Sequence, residues 1–319
     1  MALLEVRDLT IELPAASGWQ RVVSGMNFQL QPGQIVGLVG ESGSGKTLTG
    51  KALMGLLPPG ARLGGEILMA GEAWQQNDEK RWRGKRGREV AMVFQDPLAA
   101  LNPVRTIGSQ LREVQRRHHG GRQGSGDLLQ SLQRLRLLRP EALLRAYPHE
   151  LSGGMRQRVI IAMAMLGQPR LLIADEPTAA LDPTTRSAIL GELLRLRDQF
   201  NCAILLISHE LAVVERLSDE LLVIYAGRMM AAGAVEAVLQ DARHPYSAAL
   251  MASRPRLDGS PLQPLPVVQG QFNPQHRSLP GCVFAPRCPR VSAICSAEPP
   301  PWGQEQNQAY ACHHPLGLS

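Results

Sequence analysis

The chain has 319 residues, which is enough for one large domain with an extension. Its formal net charge is +6, and the basic residues are spread along the chain apart from a run over Lys80 to Arg88. Such a run is typical of a solvated loop, so the charge alone does not indicate nucleic acid or a membrane surface. No apolar run reaches the ~18 residues of a membrane span, and no apolar signal core follows Met1. We therefore expect a cytosolic chain.

The first third of the chain predicts β-strands followed by one helix. The strands are expected at Leu3 to Leu13, Val22 to Leu30 and Glu66 to Ala70. These runs alternate apolar and polar residues or are rich in β-forming residues, and Gly and Pro separate them. Gln34 to Val39 is an apolar, buried strand that leads into a glycine-rich loop. A helix is predicted from Lys46 to about Leu57, where two prolines and a glycine stop it.

Further along the chain, strands and helices alternate. Glu89 to Phe94 predicts a strand, and the pattern is helical from about residue 100 to 165, with a Gly- and Ser-rich break at 118–126. Three buried strands follow, at Leu171 to Ala174, Ala203 to Ile207 and Leu221 to Tyr225. This alternation predicts an α/β fold with a parallel sheet covered on both faces.

The composition changes after about residue 240. Pro255 to Pro280 is rich in proline and predicts a linker to a small C-terminal module, so the predicted domains are 1–240 and 241–319. Four of the five cysteines lie in the last 40 residues: Cys282, Cys288, Cys295 and Cys312. The fifth, Cys202, lies in an apolar run and is expected to be an inert core thiol.

Clustered cysteines in a cytosolic chain favour a metal site over disulfides. Thiolates suit both zinc and iron–sulfur clusters. The spacing C-x5-C-x6-C-x16-C lacks the close pair that is usual in structural zinc sites. His313 and His314 keep a mixed Cys/His zinc site open, and unligated thiols are a third interpretation.

The glycine-rich loop is a phosphate-binding loop. It matches G-x-x-x-x-G-K-[ST] at every fixed position, after a strand and at the start of a helix. Its residues are Gly40, Glu41, Ser42, Gly43, Ser44, Gly45, Lys46 and Thr47. Backbone N–H groups and the helix N-terminus attract phosphate, the Lys46 ammonium neutralises charge, and the Thr47 hydroxyl can ligate Mg²⁺.

A second acidic element follows the apolar strand at Leu171. Asp175 and Glu176 end this strand, at the edge of the sheet where ligands bind in open α/β folds. We expect Asp175 to hold Mg²⁺ and Glu176 to polarise the attacking water as general base.

These residues, with others between and after them, resemble the ATP-binding cassette (ABC) ATPase family. Gln95 matches its Q-loop, which senses Mg²⁺ and touches the transporter, and Leu151 to Met155 matches its signature, with Met155 in place of the usual Gln. Ala180 to Asp182 matches the D-loop, and His209 matches the switch histidine that contacts the γ-phosphate. The resemblance implies an antiparallel β-subdomain, a RecA-like core and a helical signature subdomain.

The resemblance also implies an ATP site shared between two subunits. Ser152, Gly153 and Gly154 of one subunit would contact the γ-phosphate held by the other. Trp19 precedes the second strand, where the family stacks an aromatic ring on adenine. Trp19 could equally pack on the β-subdomain.

The tail is similar to that of the peptide and nickel importer ATPases, and most like the D-type subunit of dipeptide and oligopeptide importers. His244 to Leu250 and Gly281 to Pro289 carry this resemblance. Some members hold a [4Fe-4S] cluster on equivalent cysteines, and we favour that over zinc here. The implied partners are a second, non-identical ABC ATPase subunit, two transmembrane permeases and an extracytoplasmic solute-binding protein. The implied location is peripheral, on the cytoplasmic face of the inner membrane.

The resemblance predicts ATP hydrolysis that powers import of peptides, nickel or a metal chelate. The alternative is a soluble ABC ATPase acting on nucleic acid or the ribosome. Such proteins usually carry two cassettes or long coiled-coil insertions, and neither is visible here. We therefore expect no nucleic-acid partner.

Overall fold

Alternating and continuous apolar runs give this chain its strands and helices, as seen in a computed structural model that describes residues 1–16, 18–74, 79–119, 125–135, 137, 139–253, 268–305 and 307–317. The strands are β1 Leu4–Ala15, β2 Gly18–Leu30, β3 Ile35–Val39, β4 Arg62–Met69, β5 Glu72–Ala73, β6 Val90–Val93, β7 Leu171–Asp175, β8 Ala203–Ser208, β9 Glu220–Tyr225, β10 Arg228–Ala234, β11 Trp302–Glu305 and β12 Gln308–Ala311.

The α-helices cluster in the middle of the chain and recur toward its end. They are α1 Lys46–Leu53, α2 Glu79–Lys85, α3 Pro97–Ala100, α4 Ile107–His119, α5 Ser125–Arg134, α6 Pro140–Arg145, α7 Gly153–Met165, α8 Pro183–Phe200, α9 Leu211–Leu217, α10 Val235–Gln240, α11 Pro245–Ala252 and α12 Ala293–Ala297. Among the described residues, none of these helices combines the length and the apolarity needed to cross a membrane.

The chain divides into two compact units. The first contains Met1–Leu30, Ile35–Gln76 and Leu206–Ser319. The second contains Gln31–Gln34 and Asn77–Leu205.

The first unit contains an antiparallel sheet in the order β2-β1-β4-β5. Strands β1 and β2 form a hairpin that runs from the pair Leu4 and Leu30 to the pair Ala15 and Gly18. One face of β1 is buried, and this burial explains the apolar alternation of the sequence. The structure thus contains the antiparallel β-subdomain that the family resemblance implies.

Further strands of the first unit follow the order β11-β12-β10-β9-β3. Strands β3 and β9 are parallel, and every residue of β3 is buried. Burial on both faces is why β3 reads as a continuous apolar run. Strand β10 pairs antiparallel with β9 on one side and with β12 on the other. The part of the chain after residue 240, called the C-terminal segment below, therefore adds strands beside the core.

In the second unit, β7 and β6 are neighbouring parallel strands. All five residues of β7 are buried. Helices α4 to α7 all lie within the region from about 100 to 165 that was predicted to be helical. The predicted break at 118–126 falls in part on residues 120–124, which lie outside the described residues, as does part of the predicted linker, 254–267.

The charged run at Lys80 to Arg88 is not the solvated loop that we expected. Glu79–Lys85 forms α2, and its Trp82 is 1% exposed. The Arg86 guanidinium pairs with the Glu79 carboxylate at 2.8 Å and lies 5.5 Å from the Trp82 ring centroid. One buried aromatic side chain therefore anchors a segment whose charges suggested a loop.

Helix α1 ends at Leu53 rather than near Leu57. Gly55 adopts φ 61, and the Leu56 N–H donates to the Lys51 carbonyl at 2.8 Å while the Gly55 N–H donates to Ala52 at 3.0 Å. This pair of bonds is a Schellman motif, which stops the helix before the prolines do.

Gly227 provides a test of the fold around the phosphate loop. Its φ is 82, and an added Cβ would lie 2.0 Å from the Val22 carbonyl oxygen. We expect Gly227→Ala to lower the free energy of unfolding by about 3 kcal/mol, because left-handed strain and a backbone clash combine. Gly18→Ala is the control, since its φ is also positive but nothing lies within 4 Å. Gly18→Ala should lower the free energy of unfolding by only about 1 kcal/mol. Equal losses in chemical denaturation would contradict the steric argument.

Candidate functional site

In the first unit, the Gly40 to Thr47 loop joins the buried strand β3 directly to α1. Gly45 has φ 107 and precedes the first helical residue, Lys46. The Lys46 ammonium is buried and donates to the carbonyl oxygens of Gly40 at 2.7 Å and Glu41 at 3.1 Å. A lysine and a helix N-terminus are thus brought to one loop, an arrangement that binds phosphate.

The outer side of this loop is held by residues from much later in the chain. The Gly227 N–H donates to the Ser44 carbonyl at 2.9 Å, and the Glu41 N–H donates to the Tyr246 hydroxyl at 3.0 Å. The Arg287 guanidinium contacts the Glu41 carboxylate at 2.7 Å. Sequence reasoning missed these contacts, because no local pattern joins residues about 200 positions apart.

His209 and Trp19 also lie in the first unit. His209 follows β8 and is exposed. Trp19 is 44% exposed, and the Arg62 guanidinium carbon lies 3.6 Å from its ring centroid. This cation–π contact covers one face of the indole and supports the packing interpretation of Trp19 alongside the adenine one.

In the second unit, the two predicted acidic residues differ sharply in environment. Asp175 ends β7 and is 1% exposed, whereas Glu176 is half-buried and has φ 50. A non-glycine residue in the left-handed region is uncommon, and such strain concentrates at functional sites. The backbone turn that follows places the Ala179 N–H on the Glu176 carbonyl at 3.1 Å.

Gln95 leaves the sheet at the same edge as these acids. Val93 of β6 is in register with Ala174 of β7, and Gln95 and Glu176 each lie two residues farther along. Gln95 is exposed. Parallel strands therefore bring the predicted Q-loop glutamine and the carboxylates to one edge of the second unit.

The signature segment begins α7 and packs on the segment that begins α8. Ser152 is the N-cap of α7, and its hydroxyl accepts the Met155 N–H at 3.3 Å. Asp182, predicted as part of the D-loop, caps α8 by accepting the N–H groups of Thr184 at 3.1 Å and Thr185 at 3.0 Å. Hydrogen bonds from Thr185 hold the pKa of the Asp182 carboxyl below its usual value.

The four tail cysteines lie around one cavity in the first unit. Its lining includes Cys282, Cys288, Cys295 and Cys312 together with His313 and His314. Burial raises the pKa of Cys312 to about 11, and the neighbouring cysteines add to this effect. The Cys312 thiol therefore lies within electrostatic range of the other three cysteines.

Both histidines at this cavity already have partners. His314 Nε2 lies 2.7 Å from the Ser292 hydroxyl, and His313 Nε2 lies 3.0 Å from the Glu298 carbonyl oxygen. Among the described residues, no three side chains of His, Cys, Asp or Glu form a group that could hold a metal ion. Cys202, by contrast, is 1% exposed, and burial raises its pKa to about 12, as expected of an inert core thiol.

Gly154 of the signature offers a test of the packing between α7 and α8. An added Cβ would lie 2.3 Å from Thr185 Cγ2. We expect Gly154→Ala to lower the free energy of unfolding by about 1–2 kcal/mol through overpacking. Adding Thr185→Ser removes the clashing methyl group and keeps the hydroxyl, so the double variant should recover most of the loss. Thermal or chemical unfolding measures both, and a double variant as unstable as the single one would contradict this account.

Comparisons with known proteins point to one family. The ABC transporter family matches residues 23–179, and the C-terminal region of oligopeptide/dipeptide transporters matches residues 232–295. The oligopeptide transport ATP-binding protein OppD of Salmonella typhimurium (strain LT2) is 41% identical over 317 residues, which cover 98% of this chain and 94% of that protein. The dipeptide transport ATP-binding protein DppD of Escherichia coli (strain K12) is 40% identical over 326 residues, covering 99% and 98%.

The fold is shared with a solved ATP-binding subunit of an ABC transporter. That structure has a TM-score of 0.61 and 30% sequence identity, and the match covers 75% of this chain and 92% of that one. The predicted ABC ATPase fold is therefore confirmed. The chain belongs to the ABC transporter family, as one of its ATP-hydrolysing, ATP-binding subunits.

Proposed function

We propose that this protein powers the import of oligopeptides or dipeptides. The observation that carries the proposal is the match of residues 232–295 to the C-terminal region of oligopeptide/dipeptide transporters. Relatives that are similar over almost the whole chain are named for oligopeptide and dipeptide transport. Nickel and metal chelates have no comparable support, and an action on nucleic acid or the ribosome is not favoured.

The proposed roles in ATP hydrolysis follow the motifs. By its motif, the loop Gly40 to Thr47 would bind the phosphates, with Thr47 as a ligand of Mg²⁺, and by theirs Gln95 and Asp175 would be ligands of Mg²⁺. Glu176 is the general base, and His209 contacts the γ-phosphate. The buried ammonium of Lys46 and the strained backbone of Glu176 support these roles.

The remaining contacts with ATP come from two further elements. Ser152, Gly153 and Gly154 bind the nucleotide of a second, non-identical ATPase subunit. The N-cap position of Ser152, at the start of α7, supports an anion-binding role. Trp19 stacks on adenine with the ring face that Arg62 leaves uncovered.

The proposed assembly includes two membrane-spanning permeases and an extracytoplasmic solute-binding protein. The ATPase would lie at the cytoplasmic face of the inner membrane as a peripheral subunit. Membership of the ABC transporter family and the names of the relatives support this assembly.

Replacing the proposed base separates ATP binding from hydrolysis. Glu176→Gln removes the carboxylate that polarises water, so the steady-state rate of phosphate release should fall by about 10²–10⁴-fold while ATP still binds. Glu236→Gln, on the exposed side of α10, is the matched control and should hydrolyse ATP normally. Undiminished turnover in Glu176→Gln would rule out its role as base.

Uptake measurements in cells test the transported solute. Deleting the gene should abolish uptake of labelled dipeptide or oligopeptide, and the wild-type gene should restore uptake where Glu176→Gln does not. Uptake of radioactive nickel in the same strains is the comparison. Loss of nickel uptake with peptide uptake unchanged would overturn the peptide assignment.

At the cysteine cavity we propose a [4Fe-4S] cluster held by Cys282, Cys288, Cys295 and Cys312, with zinc as the alternative, although no three described side chains there form a group that could hold a metal ion. The support is that all four thiols line one cavity, together with the usual ligation of such clusters by four cysteines.

Metal analysis after anaerobic purification tests this assignment. We expect about four iron and four sulfide per chain, lost on Cys295→Ser. Cys202→Ser should keep both, because Cys202 is not among the residues that line the cavity. Zinc in place of iron would select the alternative, and a folded, metal-free tail would contradict both.

A further inference from the structure

The phosphate loop carries a carboxylate where it must bind a polyanion. Glu41 is the second residue of the loop, and its side chain is 24% exposed. A negative charge beside the phosphates of a nucleotide weakens their binding unless a cation offsets it. Lys46 contributes one positive charge, but its ammonium also has to meet the phosphates.

The offsetting cation comes from the C-terminal segment. Arg287 Nη1 lies 2.7 Å from Glu41 Oε2, and the arginine side chain is only 5% exposed. A charge-assisted bond away from water is stronger than an exposed ion pair. Burial lowers the pKa of Arg287, but its bonds to Glu41 and Tyr225 raise it on balance, so the guanidinium stays charged.

The guanidinium is fixed from several sides. Nε donates to the Gln269 carbonyl at 2.7 Å, and Nη2 donates to the carbonyls of Val268 at 3.1 Å and Gly270 at 3.0 Å. Nη1 also donates to the Tyr225 hydroxyl at 3.3 Å. All three nitrogens are thus engaged, which holds the positive charge at one position against Glu41.

Aromatic rings close to the loop make this support rigid. The Tyr225 ring packs edge-on against Tyr246, Phe272 and Phe284, with centroids 4.9 to 5.8 Å apart. The Tyr246 hydroxyl accepts the Glu41 N–H, and Arg277 donates to the Gly43 carbonyl. The C-terminal segment therefore holds both the charge and the backbone of the loop.

We propose that Arg287 is a positioning residue for nucleotide binding, which neutralises Glu41 and so lets the C-terminal segment set the affinity of the phosphate loop for ATP. This rests on the proposed role of the Gly40 to Thr47 loop. By linkage, bound nucleotide stabilises the packing of the C-terminal segment to the same extent.

The test is a charge-compensation cycle on the full-length protein, with the dissociation constant for ATP measured by calorimetry. Arg287→Gln should raise that constant about 3- to 10-fold, because Glu41 is left unpaired beside the phosphates. The double variant with Glu41→Gln should return close to the wild-type value, since the repulsion is gone. Arg287→Lys, which keeps the charge, should lie near the wild type.

Two controls make the outcomes distinguishable. Arg243→Ala removes an equally buried arginine that pairs with Asp241 at 2.9 Å, away from the loop. It should lower the melting temperature without changing ATP affinity. Lys46→Ala should abolish ATP binding, and if it does not, the assignment of the loop itself fails.

The results that would contradict the inference are the ATP affinities of the Arg287 and Glu41 variants. If Lys46→Ala loses ATP while Arg287→Gln binds it as the wild type does, the inference is wrong. It is also wrong if the double variant binds ATP as weakly as Arg287→Gln does, since that outcome indicates packing rather than charge. Where Arg287→Gln does not fold, Glu41→Gln decides it: the Arg287 charge is then unopposed near the phosphates, so the dissociation constant for ATP should fall about 3- to 10-fold, and a constant at or above the wild-type value would contradict the inference.

Discussion

A loop that keeps its N–H groups available for phosphate has few of them left to hold its own shape. Its inner hydrogen-bonding groups must stay available for the ligand, so the outer side has to be bonded to other parts of the protein. Here the Ser44 carbonyl is bonded by Gly227, the Glu41 N–H by Tyr246, and the Glu41 carboxylate by Arg287. The geometry of the loop therefore depends on residues that lie up to about 250 positions away in the sequence.

The second unit shows the same principle in its own motifs. Gly154 has no room for a Cβ because Thr185 lies against it, and Asp182 caps the helix that carries Thr185. The signature glycine and the D-loop aspartate are thus also parts of one packing arrangement. Residues that the family resemblance links to ATP therefore also take part in packing and helix capping. Their substitution is expected to change stability as well as ATP binding.

The sequence predicted well whatever depends on local periodicity and on motifs. Buried strands such as Ile35–Val39 and Leu171–Asp175 were found because both faces are apolar, and the loop after the first of them was found by its spacing. Helix α2 was missed because a single buried side chain, Trp82, outweighs its charges. Arg287 was missed because its partner is distant in the chain, and spacing carries no information about such a contact.

The pairing of β12 with β10 gives the C-terminal segment a protective role that its cysteines do not suggest. Ala231, Ala232 and Gly233 of β10 are in register with residues of β12. A cassette shortened to its first 240 residues would leave that side of β10 as an open strand edge, and β10 itself carries buried apolar residues such as Met230. Open edges of this kind recruit other chains. The segment that follows residue 240 is thus also a cover against aggregation, and the cassette is best produced with it.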